Sequence, residues 1–287
     1  MVASPRGLTD ALLSVEFQRL KRCRYGYMLY NAHDVYIGRS FDLYGEFSEG
    51  EVELFRQIVK PGMVVLDVGA NIGAHTVPLA QMARPGGMVL AFEPQRLIFQ
   101  TLCANVAINA LVNVDCRCLA LGSQPGMTRN AAVDYTQPGN FGGLGVRTGH
   151  SGESVPLATI DGLNLPACDF LKVDVEGMEI EVLKGAASTI SKYRPVLYVE
   201  NDRADKSDEL ISYLLGLDYR LFGHLPAYFN PNNFFGRQEN VFTSADGGHI
   251  VSFNMLCLPA NAQWDAAGFP EIKRPEDWHL RPRSALR

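Results

Sequence analysis

Carboxylates and glycines stand where several apolar runs of this 287-residue chain end, and those ends are where an α/β sheet presents its chemistry. The run Val64–Val68, which holds Asp67, gives way to the turn Gly69-Ala70-Asn71-Ile72-Gly73. Glycines let a ligand approach the backbone there. The run Met88–Phe92 ends in Glu93-Pro94. An acid in that place can accept both hydroxyls of a ribose, and the proline fixes the turn that follows. The run Phe170–Val173 ends in Asp174, with Glu176 and Gly177 in the same turn, and Val196–Val199 ends in Glu200-Asn201. Acids at the ends of neighbouring strands can hold a hydroxyl and take its proton, a contribution of about 10²–10⁴-fold to a displacement. Asp174, Glu200 and His224, which opens the loop after Tyr219–Phe222, are the candidates for that base, with support of a bound cofactor as the alternative role for Glu176. Helix capping is the rival explanation of Asp174 and Glu176, since acids are favoured beside unpaired N–H groups. Asp174, Glu200 and Asn201 also offer oxygen ligands of the kind a divalent metal accepts. The same three groups can bind an acceptor directly, so no metal is predicted.

The cofactor follows from what the turn lacks. A dinucleotide fingerprint puts a glycine where this chain has Asn71, because a pyrophosphate must press against the backbone at that point. S-adenosylmethionine carries an adenosine, a sulfonium and an amino-acid tail but no phosphate, so it tolerates Asn71 and can use it as a hydrogen-bonding group. Glu93 alone does not discriminate, since dinucleotide enzymes place an acid there too. An NAD-dependent oxidoreductase is therefore the rival enzyme, opposed by Asn71. A non-catalytic cofactor-binding module is the rival outside enzymes.

These residues need a regular α/β frame, and the hydrophobic pattern predicts one. Strands are expected at Val64–Val68, Met88–Phe92, Val114–Cys118, Phe170–Val173, Val196–Val199, Tyr219–Phe222 and Ile250–Leu258. Helices are expected at Ala74–Met82, Leu97–Asn109, around Ile180–Lys184 and at Ser207–Leu215. Strands separated by helices imply right-handed crossovers and a mainly parallel sheet; the last two strands lack a helix between them and suit an antiparallel edge pair. Ahead of this frame, Leu12, Leu13, Glu16, Phe17 and Leu20 recur at helical spacing over Thr9–Leu20. Tyr25–Tyr30 and Val35–Phe41 read as a hairpin about Asn31–Asp34, and a helix runs from about Glu51 to Val59. Residues 1–60 are thus expected to form a cap, 61–260 the cofactor domain and 261–287 an extension. The glycines of Asp134–Ser154, including Gly145 and Gly149, rule out a regular element there, and the aromatic loop 223–248 reads as a lid over the substrate.

The order VVLDVGANIGAHT, LAFEP, LATIDGL, FLKVDVEGMEIEVLKGA and PVLYVEN resembles the FkbM-type methyltransferases. The similarity spans about Tyr44–Asn201 and extends weakly to IVSFNMLCLP; the D-V-E-G-x-E-x-E-V-L-K-G-A block is its most specific part. The resemblance implies a class I methyltransferase fold with a seven-stranded sheet. It implies S-adenosylmethionine as methyl donor, bound by Asp67, Gly69, Asn71, Gly73, Glu93, Pro94, Asp174 and Glu176. It also implies that Tyr44 and Glu46, in a YGE turn like the family's approach to its first motif, close over the cofactor's amino-acid end. Members of the family methylate hydroxyls on sugars and natural-product scaffolds, so the implied partner is a small hydroxylated acceptor. An amino-methyltransferase of nucleic acids would need N/D-P-P-Y/F where this chain has Asp174-Val175-Glu176-Gly177.

Composition agrees with such an enzyme. The 47% apolar and 20% charged residues are ordinary for a globular chain, and a net charge of −5 gives no basic footprint for nucleic acid. The six cysteines include no C-x-x-C pair and read as reduced thiols. No apolar stretch has the length of a signal or a membrane span, which leads to the expectation of a soluble, cytoplasmic protein. A homodimer is compatible with all of this.

Overall fold

The structure is a computed structural model that describes residues 10–143, 152–264, 266 and 268–280; Thr9, Gly145 and Gly149 lie outside the described residues. Strands β1 (Leu13–Val15), β2 (Gln18–Cys23) and β3 (Gly26–Asn31) form an antiparallel sheet of their own. This corrects the helix expected over Thr9–Leu20. Glu16 adopts a left-handed backbone, φ 48°, so the chain reverses between the paired Val15 and Gln18. Leu12, Leu13 and Val15 stay exposed, and a helix built on their spacing would have had no buried stripe to stabilise it.

The expected hairpin about Asn31–Asp34 is corrected as well. β2 and β3 pair through Cys23 and Gly26, and the residues from Val35 lead into helix α1 (Ile37–Tyr44). Asp34 explains the change: its Oδ1 accepts the N–H groups of Tyr36 at 2.9 Å and Ile37 at 3.0 Å, which starts a helix where alternation suggested a strand. Helix α2 (Glu49–Ile58) follows near its expected place.

The main frame then alternates: β4 (Val64–Val68), α3 (Thr76–Ala83), β5 (Met88–Phe92), α4 (Arg96–Ile108) and β6 (Val114–Arg117). A small sheet of β7 (Ala120–Leu121), β8 (Gly126–Arg129) and β9 (Ser154–Ala158) interrupts it. Next come β10 (Phe170–Val173), α5 (Glu179–Lys184), α6 (Ala187–Tyr193), β11 (Val196–Glu200), α7 (Ala204–Gly216), β12 (Tyr219–His224), β13 (Asn254–Pro259) and β14 (Glu271–Ile272).

The main sheet has the order β14-β12-β13-β11-β10-β4-β5-β6. The five strands from β11 to β6 are parallel, and β13, β12 and β14 pair antiparallel. The sheet is therefore mixed and has eight strands rather than seven, because Leu221 and Phe222 of β12 recruit Ile272 and Glu271 from beyond residue 260. Every residue of β10, and all of β4 and β5 but the first, is buried, as parallel strands covered on both faces require. The strand order sets the carboxyl ends of β5, β4, β10 and β11 side by side. Among the described residues no helix is long and apolar enough to cross a membrane.

Candidate active site

A cleft of about 440 Å³ runs along those four strand ends, walled by Asn71, Glu93, Asp174, Glu176, Glu200 and, from the loop between β12 and β13, Tyr228. Its floor includes Gly69 (φ 82°) and Asn71 (φ 49°) from the turn after β4, both with left-handed backbones, whereas Gly73 (φ 89°), expected at the cofactor, does not line it and faces Leu102. A Cβ on Gly69 would stand 1.8 Å from the carbonyl oxygen of Asp174, so only glycine lets this turn lie against the end of β10.

All five amides of the turn are spent inside the protein. Gly69 and Ala70 donate to the Phe92 carbonyl at 3.0 and 2.9 Å, and Gly73 donates to Ala70 at 2.9 Å. Asn71 donates to Glu93 Oε2 at 3.0 Å, and Ile72 donates to Asn71 Oδ1 at 2.7 Å. No N–H of Gly69–Gly73 is left to cradle a phosphate. Glu93 is buried, and its other oxygen accepts the amide of Gln95 at 2.7 Å. Burial outweighs these two bonds and pushes its carboxyl up to about 7. Pro94 also lines the cleft, and its carbonyl accepts from Asn130 at 2.7 Å.

Asp174, Glu176 and Glu200 meet at the other end, with carboxylate oxygens all within 4.8 Å of one another. Burial pushes Asp174 up, but Lys172 Nζ, 3.0 Å away, outweighs it and holds the carboxyl below the usual range. Glu200 moves the opposite way, raised well above the usual range by burial and then by the charges of Asp174 and Glu176. Its Oε2 is buried and makes no hydrogen bond. Glu176 rises to about 8 through burial and the nearby Asp174 and Asp202, although Arg203 is bonded to it. Neither Asp174 nor Glu176 caps α5. Glu179 is buried and accepts the amides of Val175 at 3.2 Å and Gly177 at 2.8 Å.

A family model described as the methyltransferase FkbM domain matches residues 67–221. The chain belongs to the FkbM methyltransferase family. A curated relative, the hexuronic acid methyltransferase AglP of Haloferax volcanii, is 28% identical over 178 residues, which cover 60% of this chain and 69% of that one. Among solved structures, methyltransferase FkbM from Methylobacillus flagellatus KT is 19% identical with a TM-score of 0.46, over 72% of this chain and 50% of that one. A SAM-dependent O-methyltransferase from Thermotoga maritima is 12% identical with a TM-score of 0.42, over 76% and 66%. The chain thus spans half the length of the Methylobacillus protein it matches.

Several residues that the sequence assigned to the site of this FkbM-family protein are placed elsewhere. Tyr44 is buried, donates to the Glu239 carbonyl at 2.8 Å and accepts the Val241 amide at 2.9 Å. Glu46 accepts from Arg24 at 2.5 Å, Asn230 at 2.8 Å and the Phe234 amide at 2.8 Å. Both anchor the loop between β12 and β13 and neither lines the cleft. His224 ends β12 with Nδ1 2.8 Å from the Tyr198 hydroxyl and its ring against Phe269; burial lowers it to about 4, and it lies outside the cleft wall. Asn201 is buried, with its amide nitrogen 3.5 Å from Met255 Sδ, so Glu176 stands where Asn201 was expected beside Asp174 and Glu200. Asp67 lies beneath the cleft, accepting from the Thr76 hydroxyl at 2.7 Å.

Other residues enter unannounced. Lys172, 2% exposed in the side chain, sits between Asp174 and Asp67, whose Oδ1 is 3.5 Å from Nζ. A single cation in the otherwise apolar run of β10 is a signal that the sequence carries, because a buried charge must be paired. Glu51 lines the cleft from α2, accepts from the Ser48 hydroxyl at 2.7 Å and rises to about 7 through burial. His75 is buried with Nε2 3.9 Å from Glu51, and burial with the Lys172 charge lowers it to about 3, which keeps it neutral. Of the loop aromatics, Tyr228 joins Tyr36 and Phe47 in the wall, with ring centroids 5.8 and 5.3 Å apart. Phe229 packs on Tyr44 and Phe235 under Lys21 instead.

Proposed function

We propose that this protein transfers a methyl group from S-adenosylmethionine to a hydroxyl of a sugar, glycoside or natural-product small molecule. The observation that carries the reading is the amide inventory of Gly69–Gly73: with every N–H engaged, the turn suits a nucleoside without phosphate and not a dinucleotide. Glu93, fixed by two backbone amides, is poised to accept ribose hydroxyls, and Asn71, Gln95 and Pro94 shape the same end. When bound, S-adenosylmethionine supplies an electrophilic methyl group on a positively charged sulfur.

The chain's own residues do the rest. Asp174, held ionised by Lys172, accepts a hydrogen bond from the acceptor hydroxyl and orients it. Glu200 holds a proton more tightly than Asp174, and in its ionised form it takes the hydroxyl proton through Oε2 as the oxygen attacks. Tyr36, Phe47 and Tyr228 offer rings to the apolar face of a sugar and exclude water. The relative named as a hexuronic acid methyltransferase supports a carbohydrate acceptor. In this reading residues up to 60 form the cap and 61–260 carry the reaction, under the loop between β12 and β13.

A mass-spectrometric screen for a gain of one methyl group across glycosides and hydroxylated natural products tests the assignment. Once an acceptor is found, Asp174→Asn and Glu200→Gln are expected to lower single-turnover methylation at least about 10²-fold while S-adenosylhomocysteine still binds. Normal turnover by both folded variants would remove the acids from the chemistry. Glu93→Ala is expected to weaken S-adenosylhomocysteine binding by roughly 1.5–3 kcal/mol, read by calorimetry. Repeating turnover with a chelator separates direct acid catalysis from a metal held by Asp174, Glu176 and Glu200.

A further inference from the structure

The acidic end of the cleft has no cation of its own to spare. Among the described residues that wall it, Arg203 is the one lysine, arginine or histidine, and it is engaged by Glu176 and by Asp202, the latter at 3.3 Å. Lys172 lies behind the wall, its charge divided between Asp67 and Asp174. Facing these two cations are Glu51, Asp174, Glu176, Glu200 and Asp202, with Oε2 of Glu200 buried and making no hydrogen bond. Such a wall lacks a positive charge, and the ligand is what can bring it. The strand order also fixes where that charge arrives. A nucleoside held at β5 by Glu93 and at β4 by the glycine turn continues toward β10 and β11, whose ends carry Asp174 and Glu200.

We infer that Asp174, Glu176 and Glu200 read the positive charge of the methyl donor, so that this protein holds the charged donor more tightly than the neutral thioether left after transfer. The inference rests on the proposed S-adenosylmethionine reading and adds to it a basis for exchanging product for donor. Attraction between the donor's charge and the clustered acids is screened by solvent in the open cleft, and a preference of about tenfold is expected. The charge that leaves sulfur is the charge the hydroxyl proton then delivers to the same acids, so favouring the donor does not oppose the reaction.

Calorimetry on the whole chain, treated with a chelator, tests this with three probes: S-adenosylmethionine, S-adenosylhomocysteine and sinefungin, which carries an amine in place of the sulfonium. The two cationic probes are expected to bind at least tenfold more tightly than S-adenosylhomocysteine. Glu200→Gln and Glu176→Gln are expected to shrink that ratio severalfold while S-adenosylhomocysteine affinity changes less than about twofold, which also shows that the variants are folded. Equal affinities for the three probes in the wild-type protein overturn the inference and leave the cofactor assignment standing. A preference that survives both substitutions overturns it too. Binding of none of the three overturns the cofactor reading itself.

Discussion

Lys172→Met is the perturbation whose size the structure fixes best. The lysine is 2% exposed in its side chain and faces two carboxylates, Asp67 at 3.5 Å and Asp174 at 3.0 Å. Methionine fills a similar volume, so packing is kept and the charge is lost. Removing one partner of a buried ion pair typically costs about 3–5 kcal/mol, because the remaining charge is buried alone. The two acids do not share that cost equally. Asp174 has 34% of its side chain exposed and can be hydrated or protonated, whereas Asp67 is fully enclosed with only the Thr76 hydroxyl bonded to it. Most of the loss is therefore assigned to Asp67. At about 2–3 °C per kcal/mol for a chain of this size, the melting temperature should fall by roughly 6–15 °C. Adding Asp67→Asn should recover more than half of the fall, since the amide still accepts from Thr76 and no longer carries a charge. Adding Asp174→Asn should recover less. The reasoning is refuted if Lys172→Met melts within about 2 °C of the wild type, or if Asp174→Asn rescues it better than Asp67→Asn.

Glu93 gives a pH dependence. Its carboxyl is raised from 4.5 to about 7 in the folded protein, so the folded state binds the proton more tightly, and stability on the order of 3 kcal/mol present at low pH is lost as pH rises through that window. Urea unfolding between pH 5 and pH 8 should therefore show a smaller decline for Glu93→Gln than for the wild type; parallel curves would count against the shift. Gly69→Ala should destabilise by about 3 kcal/mol in thermal unfolding, because the new Cβ meets the Asp174 carbonyl at 1.8 Å and alanine is strained at φ 82°. Glu46→Gln should make the loop between β12 and β13 more sensitive to limited proteolysis through its weakened bonds to Arg24, Asn230 and the Phe234 amide. It should change S-adenosylhomocysteine affinity less than threefold, because Glu46 does not wall the cleft.

What the sequence made legible is what depends on one strand at a time. Val64–Val68, Met88–Phe92 and Phe170–Val173 read as buried parallel strands because both of their faces are covered, and each coincides with its observed bounds. A residue that follows such a run must stand at the carboxyl edge of the sheet, so Gly69, Glu93, Asp174 and Glu200 could be placed without knowing any contact. The first forty residues were not legible in this way. Leu12, Leu13 and Leu20 satisfy a helical period by chance of spacing, which the left-handed Glu16 overrides, and the side chain of Asp34 starts a helix where alternation suggested a second hairpin strand.

The remaining gaps are pairings across long stretches of chain. Tyr44 and Glu46 sit in a turn whose letters fit the family's approach to the cofactor, yet their partners lie nearly two hundred residues away, in the loop they tie down. Lys172 shows why this matters for chemistry. Its charge is visible in the sequence, but its partner is set by the β10–β4 register, which puts Lys172 directly opposite Asp67 and leaves Asp174 two residues on toward the cleft. The same apolar runs that place Asp174 and Glu200 at neighbouring strand ends therefore leave their ionisation undetermined. The register supplies the cation that keeps one acid charged, while burial and the neighbouring acids raise Glu200.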